Sequence, residues 1–239
     1  MRSEEYQIAK RADALATQRV PLSKERVLRT AIDLADHGGI ESLSMRKLAH
    51  ELGVEAMSLY YYVRNKDDLL NGIVDIVVSE IELPSRGSDW KAAVRRSAIS
   101  FHDVLMRHPW ACSLMMSPSG VGPARQRYME SLLGRLREAG FSANMTHHAY
   151  HALDSHIIGS TLWHAGYSAL KLPADVEKSF VRDLPKQFPY LAEHVQQHIT
   201  KPKRKDVREF DFGLDLILDG LEKIREQKSP GRTAPSRRS

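Results

Sequence analysis

The chain has 239 residues, 42% hydrophobic and 27% charged, which excludes a disordered polymer and allows one domain or two around a sizeable core. Its single cysteine, Cys112, excludes an intrachain disulfide and a cysteine-rich zinc site, and is compatible with a reducing interior. The net charge of +5 is unevenly placed: residues 1–66 carry 11 Lys/Arg against 9 Asp/Glu, and the tail 227–239 is basic with no acid, so overall charge is weak support for nucleic-acid binding.

Residues 1–21 mix charges of both signs without a long apolar region, so this extension does not read as a secretory signal. No stretch approaches the roughly 18 apolar residues of a membrane span, and a soluble cytoplasmic protein is expected. Nearly every segment is helical by pattern, and no run alternates with a period of two. The expected fold is therefore all-α.

Ser23 can cap a first helix whose apolar positions Val27, Leu28, Ala31, Ile32 and Ala35 recur at spacings of three and four, stopped by Gly38-Gly39. Ser44 can cap a short second helix bearing Leu48, Ala49 and Leu52, stopped by Gly53. A short helix carrying Tyr60, Tyr61 and Tyr62 follows. With Leu59 and Val63 inward, Tyr60 and Tyr62 flank the buried stripe and Tyr61 points away. Asn65 offers a cap for a connecting helix expected over 66–83, with Asp67 and Asp68 at its positive end.

Ala49, Gly53 and Leu59 have the spacing of a helix-turn-helix: a small residue for close approach, a glycine for the turn, an apolar anchor beneath the second helix. That helix would enter the major groove and bring Glu55, Ala56, Met57 and Ser58 near base edges. Ala56 and Met57 offer no hydrogen bond, so they would read thymine methyls and shape. Arg46 can reach a guanine or a phosphate. Tyrosine hydroxyls and Lys66 can hold phosphates, which sets register and not sequence. The competing reading places the tyrosines in a helix–helix seam or a protein interface.

The segment Pro84-Ser85-Arg86-Gly87-Ser88-Asp89 marks the expected domain boundary. Beyond it, helices are expected near 89–107, 123–139, 144–168, 190–199 and 207–226, and the last dozen residues read as disordered. His147, His151 and Asp154 share one helix face and could hold a transition metal, although pairs at that spacing arise by chance in a chain with 11 histidines. Enzymes find little support: there is no G-x-G-x-x-G, P-loop or G-x-S-x-G, and Cys112 makes a weak nucleophile case. A helical metal- or small-molecule-binding protein without DNA affinity stays open, as does an activator.

Residues 22–70, LSKERVLRTAIDLADHGGIESLSMRKLAHELGVEAMSLYYYVRNKDDLL, resemble the DNA-binding domain of TetR-type repressors, most of all the tetracycline repressor branch. WKAAVRRSAISFHDVLMRHP, LLGRLREAGFS and FDFGLDLILDGLEKI (210–224) resemble helices of that branch's regulatory domain. The resemblance implies an extension at 1–21, a DNA-binding domain at 22–83 with its helix-turn-helix near 45–64, a regulatory and dimerisation domain at 84–226, and a basic tail at 227–239. It implies a homodimer on a near-palindromic duplex operator. Phosphate contacts would fall on Tyr60 and Lys66, groove-facing positions on Met45, Arg46, Ala56, Met57, Ser58 and Tyr62 beside the capping Ser44, and an exposed ring beside DNA on Tyr61.

The same resemblance implies a dimer seam of His156, Gly159, Gly213, Leu214, Ile217 and Leu221. Tetracycline-binding members hold a magnesium–drug chelate with two histidines, an asparagine and a phenylalanine. Here only Phe101 is kept, with Ser97, Glu82 and Met115 at the other positions, so the drug class does not carry over. No cofactor is expected. A pocket of Phe101, Leu105, Met115, Met116 and Trp163 would take a hydrophobic or aromatic effector.

Overall fold

The computed structural model describes residues 21–87, 89–117, 121–169, 184–195 and 208–228. The expected N-terminal extension, the tail beyond Lys228 and the end of the helix expected over 190–199 lie outside them. Among the described residues there are helices and no strand. Contacts divide the chain into two compact units, Met1–Ile73 and Val74–Ser239.

In the first unit, α1 (Lys24–Gly38) begins where Ser23 Oγ accepts the Arg26 N–H at 3.2 Å, and it buries Val27, Leu28, Ala31, Ile32 and Ala35 as its spacing requires. A 3₁₀ turn (Ile40–Ser42) leads to α2 (Met45–Leu52), capped by Ser44 Oγ on the Lys47 N–H at 3.2 Å. Gly53, at φ 66 and ψ 36, ends α2 in the left-handed region that glycine adopts at least cost. The Val54 N–H then returns to the Ala49 carbonyl at 3.0 Å, which fixes the turn.

One turn of helix, α3 (Ala56–Leu59), follows. The tyrosines stand in the turn after it and not within a longer helix, a difference with a local cause: the Tyr62 and Val63 N–H groups both return to the Leu59 carbonyl, closing the chain on itself. Then α4 (Lys66–Ser79) starts with Asn65 Oδ1 accepting the Asp68 N–H at 2.8 Å. A Cβ at Gly72 would lie 2.7 Å from Leu28 Cδ2, so α4 runs close to α1 here and a larger residue would have to displace that side chain.

By contacts, the division between the two units falls inside α4, between Ile73 and Val74. The helix also stops at Ser79, short of Leu83. The Glu80 and Ile81 N–H groups close tight turns on Val77 and Val78. Glu82 then gives its N–H to Ser100 Oγ at 2.9 Å and receives the Ser97 hydroxyl at 2.6 Å, so side chains of the next helix replace the helical ladder.

In the second unit, α5 (Trp90–Arg107) is capped by Asp89, and a short α6 (Ala111–Met115), which periodicity did not indicate, follows. Then come α7 (Pro123–Glu138), α8 (Ala143–Ala169), α9 (Pro189–His194) and α10 (Glu209–Lys228). Helix α8 packs on α5, α7 and α10, and α10 also packs on α5. Phe101, Tyr128, Leu132, Leu153, Ile157, Leu214 and Leu218 form the core between them. Lys91 bridges Asp219 and Glu222, and Arg95 meets Asp215, each at 2.6 Å, clipping α5 to α10 at the surface.

Candidate nucleic-acid interface and effector region

The surface of the helix-turn-helix follows from what anchors it. Leu59 and Val63 are buried beneath the turn, as are Leu48, Ala49 and Leu52 of α2. The residues between those anchors are therefore pushed outward. Met57 is 71% exposed, Tyr60 45% and Tyr61 89%, a set of large apolar groups that water alone does not favour. Arg46 and Lys66 are exposed, while Met45, Ala56 and Ser58 are half-buried.

Two expected contacts have other work within the chain. The Ser44 hydroxyl is the α2 cap, so it orients Met45 and Arg46. Tyr62 is half-buried and donates its hydroxyl to the Leu22 carbonyl at 2.8 Å, so that group is committed to the fold and not to a groove. Asp68 accepts from the Arg64 N–H at 2.9 Å; that bond and the Arg64 guanidinium hold its carboxyl below the usual value. Together they brace the start of α4, where Lys66 stands at the positive end of the helix, a place suited to a phosphate.

The expected apolar effector pocket is divided by the structure. Phe101 and Leu105 are fully buried and Met115 nearly so, whereas Met116 and Trp163 are 65% and 64% exposed. Phe101 is filled in by Tyr128, edge-on at 4.9 Å, and by the Arg125 guanidinium above its ring at 5.3 Å. These residues are core here, because helical spacing marks apolar residues alike whether they face a cavity or a neighbour. A cleft of about 530 Å³ instead lies along α7 and the segment Leu83–Arg86, lined by Arg86, Arg127, Arg135, Glu130, Glu138 and Gly134. The sequence marks none of these residues as a site; the signal available was an arginine-rich helix with a glycine in its interior.

The face of His147, His151 and Asp154 does not converge. The two imidazoles are exposed, edge to face at 4.4 Å, while Asp154 turns inward to an ion pair with Arg125 and accepts the Tyr150 hydroxyl at 3.2 Å. Cys112 is buried, and burial pushes its thiol up to about 11, which leaves it unreactive.

The expected dimer residues also divide. Leu214 and Leu221 are buried within the chain, and His156 donates from Nε2 to the Phe210 carbonyl, 2.9 Å away, while stacking on the Phe210 ring. Gly213 lies against His156: a Cβ there would sit 2.4 Å from the ring. Ile217 is half-buried and Gly159 exposed. The outward stripe runs instead through Phe212, Leu216 and Ile224 of α10 and Leu162 and Trp163 of α8. Helix α10 is apolar on two sides, and periodicity cannot say which side a single chain keeps for itself.

Behind that stripe, His102 is 5% exposed and stacks on Phe210 at 3.9 Å. Among the described residues neither ring nitrogen has a hydrogen-bond partner, and Asp103 stands 3.7 Å away. Burial drives its pKa below the ordinary value; Asp103 opposes the shift, and His164 and Arg208 add to it.

Comparison with known proteins gives these features a context. Residues 27–73 match the family described as bacterial regulatory proteins, tetR family, and residues 83–225 match the tetracyclin repressor-like C-terminal domain. The chain is 33% identical over 230 residues to the transcriptional repressor DrrR1 of Streptomyces coeruleorubidus, covering 90% of this chain and 82% of that one. It is 30% identical over 223 residues to the transcriptional repressor Rv1353c of Mycobacterium tuberculosis, covering 89% and 85%. Among solved structures, ActR of Streptomyces coelicolor in complex with actinorhodin superposes with a TM-score of 0.69 at 27% identity, covering 86% of this chain and 99% of that one.

Proposed function

The chain belongs to the TetR family of transcriptional regulators, which are not enzymes, and from that membership we propose that it is a homodimeric repressor released from its operator by a small molecule. The observation that carries the reading is the exposed set Met57, Tyr60 and Tyr61, held out from a turn anchored by Leu59 and Val63, with Arg46 and Lys66 exposed in the same unit. Tyr60 and Lys66 hold phosphates and set register; Arg46, Met57 and Tyr61 meet the groove. Ser44 and Tyr62 act beneath them as supports.

Two copies pair through the stripe of Phe212, Leu216, Leu162 and Trp163, since paired helices one DNA turn apart read a near-palindrome. An effector follows from the likeness to ActR, whose structure contains actinorhodin. It occupies the second unit and must bind the DNA-free form more tightly, because only differential affinity shifts an equilibrium. The coupling element in this reading is α4, which is continuous across the division between units.

The test is selection from a random duplex library at near-physiological salt, with Tyr60→Ala as control. Enrichment of a palindromic site by the wild type alone is expected. A wild type that enriches nothing, even after unfolding, dialysis and refolding to strip bound effector, would sink the proposal.

A further inference from the structure

Phe210, at the start of α10, is buried and lies almost parallel to two imidazoles. The His102 ring of α5 stacks on it at 3.9 Å and 11°, and the His156 ring of α8 at 4.9 Å and 10°. His156 also donates from Nε2 to the Phe210 carbonyl at 2.9 Å, so the backbone of α10 is held here as well. A third imidazole, His164 of α8, stands edge-on to His102 at 6.1 Å. Three histidines from two helices thus meet the first turn of a third.

This seat suits a neutral His102 and not a charged one. Both its ring nitrogens are buried and, among the described residues, make no hydrogen bond. The acid beside it, Asp103 of α5, lies 3.7 Å away and is engaged by Arg208 at 3.0 Å. Arg208 also meets Asp211 of α10 at 3.1 Å, and His164 stands 3.8 Å from Glu209 of α10. Asp103, Asp211 and Glu209 thus all have partners other than His102. Burial disfavours the charged ring; Asp103 opposes this, and His164 and Arg208 add to it. A proton on His102 therefore needs water, and water reaches the ring when the start of α10 lifts away.

The same two helices, α8 and α10, carry the outward apolar stripe. Phe212 follows Phe210 by two residues, Trp163 precedes His164, and both are exposed. A second copy covering that stripe would hold α10 in place, whereas a proton on His102 requires α10 to lift. The two events compete, and linkage makes the competition reciprocal. We propose that the histidine cluster around Phe210 is a proton gate on pairing: in mild acid His102 leaves its seat, the start of α10 opens and the two copies separate. The gate rests on the pairing reading above, and it adds a regulatory input that needs no small molecule.

The test is sedimentation equilibrium of the full chain without DNA, at about pH 7.5 and about pH 5.5 and one ionic strength, with circular dichroism of the same samples. The dimer dissociation constant is expected to rise at least about tenfold in acid with helix content retained, since each copy takes up a proton on separating. His102→Gln and His102→Leu remove the titrating ring by a polar and an apolar replacement, and either should leave the constant unchanged with pH. His147→Gln, at an exposed histidine outside the cluster, should keep the full dependence. A pH dependence that survives both His102 substitutions, or loss of helix content in acid where folded monomers are expected, would overturn the gate. A wild type that stays dimeric with an unchanged constant overturns the gate alone. A wild type that is monomeric at both pH values overturns the pairing reading, and the gate with it.

Discussion

The Tyr62 hydroxyl donates to the Leu22 carbonyl at 2.8 Å, across forty positions of sequence, and ties the end of the tyrosine turn to the segment entering α1. One neighbour away, Tyr61 is 89% exposed. Two chemically identical side chains therefore do different work. Tyr62→Phe is expected to lower the stability of the first unit by about 1 kcal/mol, the net value of one such bond. Tyr61→Phe should leave stability unchanged. Urea denaturation followed by circular dichroism distinguishes them, and equal midpoints for both variants would contradict the assignment.

The residues proposed to contact DNA should separate by salt dependence and sequence preference. Lys66→Ala should weaken binding to every duplex and lower the salt slope by about one unit, and Tyr60→Phe should weaken binding to every duplex too. Arg46→Ala and Met57→Ala should alter the preferred site. Operator and scrambled duplexes titrated at several salt concentrations read out both effects. Identical behaviour of the two pairs would dissolve the division into positioning and reading residues.

Pairing of two copies should depend on the outward face of α10. Leu216 is 58% exposed in the single chain, and the proposed dimer would bury it as an apolar contact. Leu216→Glu should yield a folded monomer by sedimentation, with helix content retained. Leu214, fully buried in the single chain, should behave differently: Leu214→Ala costs about 2–5 kcal/mol of stability whether or not the chain pairs.

Gly213 and His156 form a steric pair. The His156 ring is held by its bond to the Phe210 carbonyl and by stacking, so it cannot yield freely to a new methyl group. Gly213→Ala should lower stability by roughly 1 kcal/mol, as overpacking outweighs the gain in helix propensity. In a His156→Ala background the same change should be neutral or stabilising. A double-mutant cycle of melting midpoints measures the difference.

Stability should fall in mild acid because of His102. Burial holds its folded pKa below 6.5, so under that pH the unfolded chain takes a proton that the folded chain refuses. Stability is lost from about pH 6.5 down to the folded pKa, with a slope of at most about 1.4 kcal/mol per pH unit. His102→Gln should remove up to one proton from that dependence while Asp103, His164 and Arg208 remain. Urea midpoints from about pH 7.5 to 5 test it.

Local chemistry carried the first unit almost whole. Ser23, Ser44, Gly53 and Asn65 act as caps and stops through bonds to backbone a few residues away, so their meaning is readable from neighbours alone. The buried faces of α1 and α2 follow from spacing for the same reason. The second unit was legible as helices and a family, but not as surfaces. The inward and outward sides of α10 are both apolar, and Phe101 and Leu105 read equally as pocket or core. Tertiary structure decided these by supplying the opposite wall: α5 and α8 cover Leu214 and leave Leu216 bare, and Tyr128 with Arg125 fills the space beside Phe101. It also drew Arg86 and Arg127 to one cleft over Gly134, a meeting of residues 41 positions apart that no local pattern encodes.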